Sequence, residues 1–417
     1  MSRTPTPTLL HRCLVQPLNR LSGNPFLAAI RGGMVAIVPL TIIGGLFMVV
    51  AFLPVPGWEE WVKPWLPLLE IPVSATFGLL SVFVCFAIGH ELGRQFQQDP
   101  LNSAGLATLV FLLLQLDPQE QRLIGDNLGS QGLFTAIAVA LISVRTLKFF
   151  ADRNLVIRLP PSVPAVVYES FLSLAPMTVL VLAFWGLRFG LGFDLNAVVQ
   201  AAFSPLVFAL NTLPGILVFT FAVTLLWSVG INGDNALDAF VGAVFLNFLA
   251  ANVDAQRAGE PLPYITALGF FTTFVNVGGT GATLGLALIM LNSREPGYRK
   301  VARLSLPTQV FQINEPIFFG FPIVLNPVLM APYILSALAL TTGTYLLMDA
   351  GWIGRPYVAI PWTTPPIIGH YLVTGGDWRA AVWGVASLGI AMAVYWPFAK
   401  AAERARLQAE QEGHPRP

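Results

Sequence analysis

The sequence predicts an all-α polytopic membrane protein of about ten transmembrane helices with two re-entrant hairpins. Three observations predict it: an apolar composition poor in charge, a series of long apolar runs, and basic residues gathered at the ends of those runs. Of 417 residues, 55% are hydrophobic and 11% charged. A soluble globular chain carries about 25% charged residues. So few charges cannot cover the surface of a soluble protein this long, whereas a bilayer asks for apolar side chains on the outside.

The first run begins near Phe26, after a polar stretch carrying Arg3, Arg12 and Arg20. It extends to Pro54, too long for the core of a secretory signal, and reads as a retained helix. Further runs follow, so that the expected spans are 28–53, 75–95, 103–116, 131–149, 172–192, 206–229, 237–252, 264–292, 318–347 and 380–399. Each approaches the roughly 20 apolar residues a bilayer crossing needs. The third and seventh are short.

Most of the 23 Lys and Arg residues fall in four clusters. These are Arg3, Arg12, Arg20 and Arg31; Arg145, Lys148, Arg153 and Arg158; Arg294, Arg299, Lys300 and Arg303; and Lys400, Arg404, Arg406 and Arg416. Cytoplasmic loops are the ones enriched in Lys and Arg. An even number of the expected spans separates each pair of clusters, which puts all four, and both termini, on the cytoplasmic side. The loops 54–74 and 117–130 are acidic instead, with Glu59, Glu60 and Glu70 in one and Asp117, Glu120 and Asp126 in the other. A proline-rich segment, Leu159–Ala165, divides the chain.

Two stretches are neither ordinary loop nor ordinary span. Residues 305–317 and 359–379 are semi-apolar and interrupted by proline, the character of re-entrant hairpins. In transporters such broken elements place backbone groups at a mid-membrane substrate site.

Other chemistries are excluded. A net charge of +1 offers nothing to neutralise a run of phosphates, so no nucleic-acid partner is expected. Cys13 and Cys85 are too few for a disulfide framework. His11, His90, His370 and His414 show no metal-ligand spacing, and no Gly-x-Ser-x-Gly elbow occurs. No metal or cofactor is expected.

The chemistry-bearing residues concentrate between Trp227 and Pro366. The run Trp227-Ser-Val-Gly-Ile-Asn232-Gly233-Asp234-Asn235 reads either as an interfacial Trp with a helix stop or as a polar platform entering a cavity. The run Asn276-Val-Gly-Gly-Thr280-Gly-Ala-Thr-Leu-Gly285 either lets helices approach closely or presents backbone amides to sugar hydroxyls. It lacks the Gly-Lys-Ser/Thr ending of a phosphate loop. In Asn314-Glu315-Pro316 a carboxylate lies among Phe311, Ile313, Ile317, Phe318 and Phe319, a setting in which an ionisable residue is a functional candidate. Pro361-Trp362-Thr363-Thr364-Pro365-Pro366 sets an aromatic ring beside hydroxyls, which suits a pyranose or equally a rigid interfacial turn.

Five stretches in order resemble the enzyme IIC family of phosphoenolpyruvate-dependent phosphotransferase systems, in its lactose/cellobiose/diacetylchitobiose branch. They are Phe26-Leu-Ala-Ala-Ile-Arg31-Gly-Gly-Met, Gly278–Gly285, Phe311–Gly320, Pro322–Pro327 and Pro361–Pro366. The resemblance implies a homodimer in the bacterial cytoplasmic membrane. Residues 1–25 and 401–417 would be cytoplasmic tails, 26–192 would form the dimer interface, and 193–400 would bind and transport the sugar. It implies that the chain moves a disaccharide inward and presents its 6-hydroxyl to a phosphocysteine on a separate enzyme IIB, itself served by enzyme IIA. The chain would have no phosphorylated residue of its own. Glu315 is the expected catalytic residue. Trp227, Asn232, Gly233, Asn276, Thr280, Asn314, Glu315, Trp362 and Thr363 are the expected sugar contacts. Asn232 stands where many members carry His, and His370 is a candidate to compensate. The rival readings are an ion-coupled secondary transporter, which would want carboxylate relays beyond Glu315, Asp234 and Asp349, and a sugar-binding sensor no longer coupled to phosphotransfer.

Overall fold

The computed structural model describes residues 24–52, 57–117, 119–120, 122–155, 165–321 and 323–411. The N-terminal tail with its three arginines, the proline-rich divider before Ala165, Pro322 and Arg416 lie outside the described residues. Within them every regular element is helical, and one isolated antiparallel bridge joins Leu116 and Leu123.

The helices are α1 (Pro25–Ala51), α2 (Trp58–Val62), α3 (Leu66–Thr76), α4 (Leu80–Gln95), α5 (Pro100–Leu114), α6 (Leu133–Asp152), α7 (Ala165–Trp185), α8 (Leu195–Leu210), α9 (Leu213–Ser228) and α10 (Gly233–Ala258). There follow α11 (Leu284–Met290), α12 (Pro296–Val310), α13 (Glu315–Gly320), α14 (Pro327–Asp349), α15 (Ile368–Val373) and α16 (Trp378–Gln411). A short 3-10 segment makes α3 and α4 a single 30-residue apolar run, Leu66–Gln95. Among the described residues, six helical runs are long and apolar enough to cross a bilayer, seven if α8 and α9 form one broken span.

Large apolar side chains on these helices face outward: Val35, Leu46, Leu182, Phe208 and Val218 are exposed. On a water-soluble monomer such a surface would be an aggregation liability. Against lipid it is the expected one.

Several helix starts carry the polar residues that isolated backbone N–H groups require. Asp99 accepts from Asn102 N at 2.6 Å and opens α5, with Pro100 as first residue. Thr212 accepts from Gly215 N at 3.3 Å and opens α9. Asn326 accepts from Val328 N at 3.1 Å and opens α14.

Three of the expected spans are broken. The run 206–229 is interrupted after Leu210, where the Asn211 side chain accepts from Ile265 N at 2.9 Å and the Asn211 carbonyl accepts from Tyr345 Oη–H at 2.9 Å. The run 264–292 holds only a π-helical turn, Phe270–Val275, and the short α11, because its glycine-rich centre leaves the helix. The run 318–347 becomes α13, a turn, and α14 from Pro327. The stretch 305–317 is the end of α12 and a turn leading into α13, and 359–379 is an irregular segment followed by α15.

The chain forms two compact units. One comprises the residues up to Ile43 with Pro72–Leu206 and Asp238–Asn247; the other comprises Gly44–Ile71, Val207–Leu237 and the residues from Phe248 on. In the first, α4, α5 and α6 pack on one another, and Ala29, Leu92 and Val144 make a buried cluster with Phe26, Phe96 and Leu141 around it. In the second, α14 packs on α9 and α16, and α11 on α16. Val277, Ala282, Leu284, Leu340 and Ala391 form the core there.

The loop after α14 is tied to the start of α16 by Asp377, which accepts from Gly354 N at 2.8 Å and from the Arg379 side chain through both oxygens at 3.0 Å. Partial burial pushes the Asp377 carboxyl up, but bonds from the Arg379 side chain, Gly354 N–H and Arg379 N–H outweigh it and hold it below its ordinary value. The stability this tie contributes is complete above the unfolded-state value, about pH 4, and is lost as pH falls through the lower folded-state value. The unfolding temperature in detergent should therefore fall on acidification below about pH 4, and Asp377→Asn should remove that part of the dependence. Identical acid profiles for wild type and variant would refute the assignment.

Candidate functional site

The site is built around a break in helical structure within the second unit. At Asn276 the chain leaves its π-helical turn and winds through Gly278–Thr283. Five backbone groups of this loop meet side chains. Gln312 Oε1 accepts from Gly278 N at 2.7 Å and from Gly279 N at 3.1 Å. Asn314 Nδ2 donates to Thr280 O at 2.7 Å. Ser336 Oγ and Tyr395 Oη donate to Gly281 O at 2.9 and 2.8 Å. Thr283 Oγ1 donates to Gly278 O at 3.0 Å.

The glycine at 281 is required twice over. Its φ is +80°, and a Cβ there would lie 2.2 Å from the Tyr333 ring. The glycine motif and the Asn-Glu-Pro motif are therefore two halves of one structure. Gln312 and Asn314, on the turn between α12 and α13, hold the loop.

The third part comes from the junction of α9 and α10. A Cβ at Gly233 would fall 2.2 Å from Val223 O, so only glycine lets α10 start this close to α9. Asn232 caps α10, its Oδ1 accepting from Asn235 N at 2.9 Å. Asp234 sits in the first turn, where a helix favours negative charge. Its Oδ2 accepts from Trp227 Nε1 at 2.7 Å and from Thr280 Oγ1 at 2.6 Å. The Trp227 ring packs edge-on against Phe318, with centroids 5.2 Å apart.

Trp227, Gly233, Thr280 and Asn314 are thus drawn into one buried cluster, with Asn276 at the base of the loop. Glu315 opens α13 beside Asn314, and its exposed carboxylate accepts no hydrogen bond among the described residues. Trp362 and Thr363 are carried by the segment before α15. There Thr364 Oγ1 donates to Pro361 O at 2.7 Å to close a turn, and Trp362 is 58% exposed. His370 is fully buried, edge-on to Phe274 at 4.5 Å, and its Nδ1 accepts from Ile367 N at 3.2 Å. It pins Ile367 at a φ of +67° rather than facing a solute. No group of His, Cys, Asp or Glu able to hold a metal occurs among the described residues.

The sequence reading did not count Gln312, Asp234, Ser336 or Tyr395 as site residues. The first two lie inside the quoted motifs. Ser336 and Tyr395 sit in ordinary apolar helices, and nothing local marks them.

Residues 31–337 match the family model for the phosphotransferase system EIIC. The chain is 34% identical to the cellobiose-specific EIIC component of Geobacillus stearothermophilus, over 94% of this chain and 93% of that one. It is 33% identical to the lichenan permease IIC component of Bacillus subtilis (strain 168), over 95% and 94%. The crystal structure of ChbC, the IIC component of the N,N'-diacetylchitobiose-specific phosphotransferase system, superposes with a TM-score of 0.91 at 31% identity, covering 98% of this chain and all of that one.

The chain belongs to the phosphotransferase EIIC family.

EIIC proteins are multi-pass membrane permease components that take up sugars and work with EIIB and EIIA. In this EIIC chain the hydrogen-bonded loop lies beside Asn314, next in sequence to the exposed Glu315, and Gln312 is central to holding that loop. Replacing it by methionine keeps its length but leaves the buried Gly278 N–H without an acceptor, at a cost of roughly 1–3 kcal/mol, while Gly279 N–H keeps only its bond to Asn276 O at 3.0 Å. Gln312→Met should lower the unfolding temperature in detergent markedly. An unchanged transition would show that the loop finds other partners.

Proposed function

We propose that this chain carries a β-linked disaccharide or short oligosaccharide across the bacterial cytoplasmic membrane and presents its 6-hydroxyl to phosphorylated EIIB. The observation that carries this reading is Glu315: an exposed carboxylate with unused acceptors, fixed beside a hydrogen-bonded loop. A carboxylate accepts from two hydroxyls at once, and charge-assisted bonds are roughly twice as strong as neutral ones. The names of the relatives, for cellobiose, lichenan and diacetylchitobiose, favour a β-linked sugar. Trp362 offers an exposed ring for the apolar face of a pyranose, with Thr363 at its rim and the free amide of Asn232 for a further hydroxyl.

In the transfer step, Glu315 takes the proton of the sugar 6-hydroxyl as its oxygen bonds to phosphorus. The bond from phosphorus to the EIIB thiolate sulfur breaks and the thiolate leaves. The working unit is a homodimer in lipid, with 26–192 at its interface and 193–400 forming the transport region. The segments 305–317 and 359–379 act as the two re-entrant hairpins of a ten-span topology, and both termini face the cytoplasm.

Two variants of Glu315 separate anchoring from proton transfer. Glu315→Ala should abolish sugar binding, and Glu315→Gln should weaken it by about 1.5–3 kcal/mol, the scale of a hydrogen bond to a charged group. Glu315→Gln should also fail to support phosphorylation with EIIB present. Wild-type binding and transport in both would reduce Glu315 to a surface residue.

The orientation is tested by single cysteines at positions 153 and 299, in a background with Cys13 and Cys85 replaced. Both should be protected from a membrane-impermeant thiol reagent added to intact cells and react once the membrane is opened. Labelling of either from outside would overturn the topology.

A further inference from the structure

We propose that Asp234 is a positioning residue of the sugar site: one carboxylate oxygen joins the end of α9 to the glycine loop and so sets where Glu315 stands. This rests on the reading of Glu315 as the sugar anchor. Two donors from distant segments converge on the Oδ2 atom, Trp227 Nε1 at 2.7 Å and Thr280 Oγ1 at 2.6 Å. Both donor residues are buried. From Thr280 the connection continues through its own carbonyl to Asn314 Nδ2 at 2.7 Å, and the next residue in the chain is Glu315. Three hydrogen bonds and one peptide link therefore run from the Trp227 indole to the carboxylate that would meet the sugar.

The arrangement also divides the work of the cluster. The indole N–H and the Thr280 hydroxyl proton are committed to Asp234, and the Asn314 amide is committed to Thr280. These residues therefore shape and stiffen the support, while Glu315, Trp362 and Asn232 keep groups free for a ligand. Asp234 also lies at a helix start, where a carboxylate can be purely a dipole partner. The two roles differ in what a neutral isostere does. Asparagine keeps an acceptor oxygen for both donors but loses the charge, so it preserves positioning and forfeits the dipole term.

The test is equilibrium binding of cellobiose and N,N'-diacetylchitobiose to the purified full chain in detergent, with each variant first shown to be monodisperse. Asp234→Ala should raise the Kd of whichever sugar the wild type binds by about tenfold, the factor that corresponds to 1.4 kcal/mol. Asp234→Asn should recover most of that loss. Thr280→Val, which removes the hydroxyl without changing size, should raise Kd by itself. Combined with Asp234→Ala it should add little, because both changes cut the same connection. A wild-type Kd in Asp234→Ala, a loss in Asp234→Asn as large as in Asp234→Ala, or multiplying effects in the double variant would each overturn the proposal. Should Asp234→Ala not fold, Thr280→Val and its combination with Asp234→Asn decide: the first must raise Kd and the second must not exceed it. Glu315→Ala separates this proposal from the reading beneath it. Loss of binding there, with none in the Asp234 and Thr280 variants, sinks the positioning role alone. No loss in Glu315→Ala sinks the site itself.

Discussion

A bilayer interior offers no water to a backbone N–H or C=O, so a chain that leaves the helix there must find every partner in itself. The loop Gly278–Thr283, a break within an apolar run, meets much of such a demand with side chains from three other places: Gln312 and Asn314 before α13, Ser336 on α14 and Tyr395 on α16. The helix break and its support are one feature. Without the support the loop's polar groups would be buried and unpaired; without the break there would be no backbone to hold and no reason for a polar turn so deep in apolar sequence. The candidate site is located where this constraint is met, because polar groups gathered to satisfy a backbone are also groups a sugar can be placed beside.

The turn that clamps the loop is itself braced from its far end. Glu295 caps α12, accepting from Gly297 N at 2.9 Å and from Tyr298 N. Glu403 on α16 accepts from Ser293 Oγ at 2.6 Å, from Lys400 Nζ at 2.7 Å and from Arg294 N. Arg406 approaches Glu295 at 3.7 Å and covers the Tyr298 ring at 4.7 Å. Charged groups that are shielded and multiply hydrogen-bonded resist displacement far more than exposed pairs do. The basic cluster that begins at Lys400, whose Lys and Arg count suggested only an orientation, thus also anchors the start of α12. That helix delivers Gln312 and Asn314 to the loop fifteen or so residues later, about 1.5 Å of rise per residue.

How far the sequence carried depends on the range of the interaction involved. Local signals worked. The apolar runs marked α1, the α3–α4 run, α6 and α16, and the motifs around Trp227, Thr280 and Asn314 fell into one cluster. Continuity of hydropathy misled where a helix breaks without a change in polarity. Residues 264–292 carry no charge and are apolar on balance, yet glycines with positive φ take the chain out of the helix there. At 318–347 the interruption is the turn before Pro327, where Leu325 sits at a φ of +56° and donates its N–H to Ser228 O at 2.9 Å. That bond spans almost a hundred residues and has no local sign. Ser336 and Tyr395 were illegible for the same reason: their role is to face a loop far away in sequence.

Asn232 shows how structure alters the meaning of a substitution. Set against a histidine, asparagine loses a titratable group, and the loss directs attention to compensation elsewhere. In place, its Oδ1 closes the first turn of α10 through Asn235 N–H, a role asparagine fills well. Its amide N–H groups remain as donors, so the position can offer a proton to a hydroxyl oxygen, while its Oδ1 already serves the Asn235 N–H. His370 does not restore the missing acceptor, because its Nδ1 is bound to Ile367 N–H and its ring is sealed against Phe274. A sugar hydroxyl must donate as well as accept. With the Asp234 oxygen that faces the cluster already holding two donors, the exposed acceptor of these motifs that holds no donor among the described residues is the carboxylate of Glu315, which is why the proposed reading of the site turns on it.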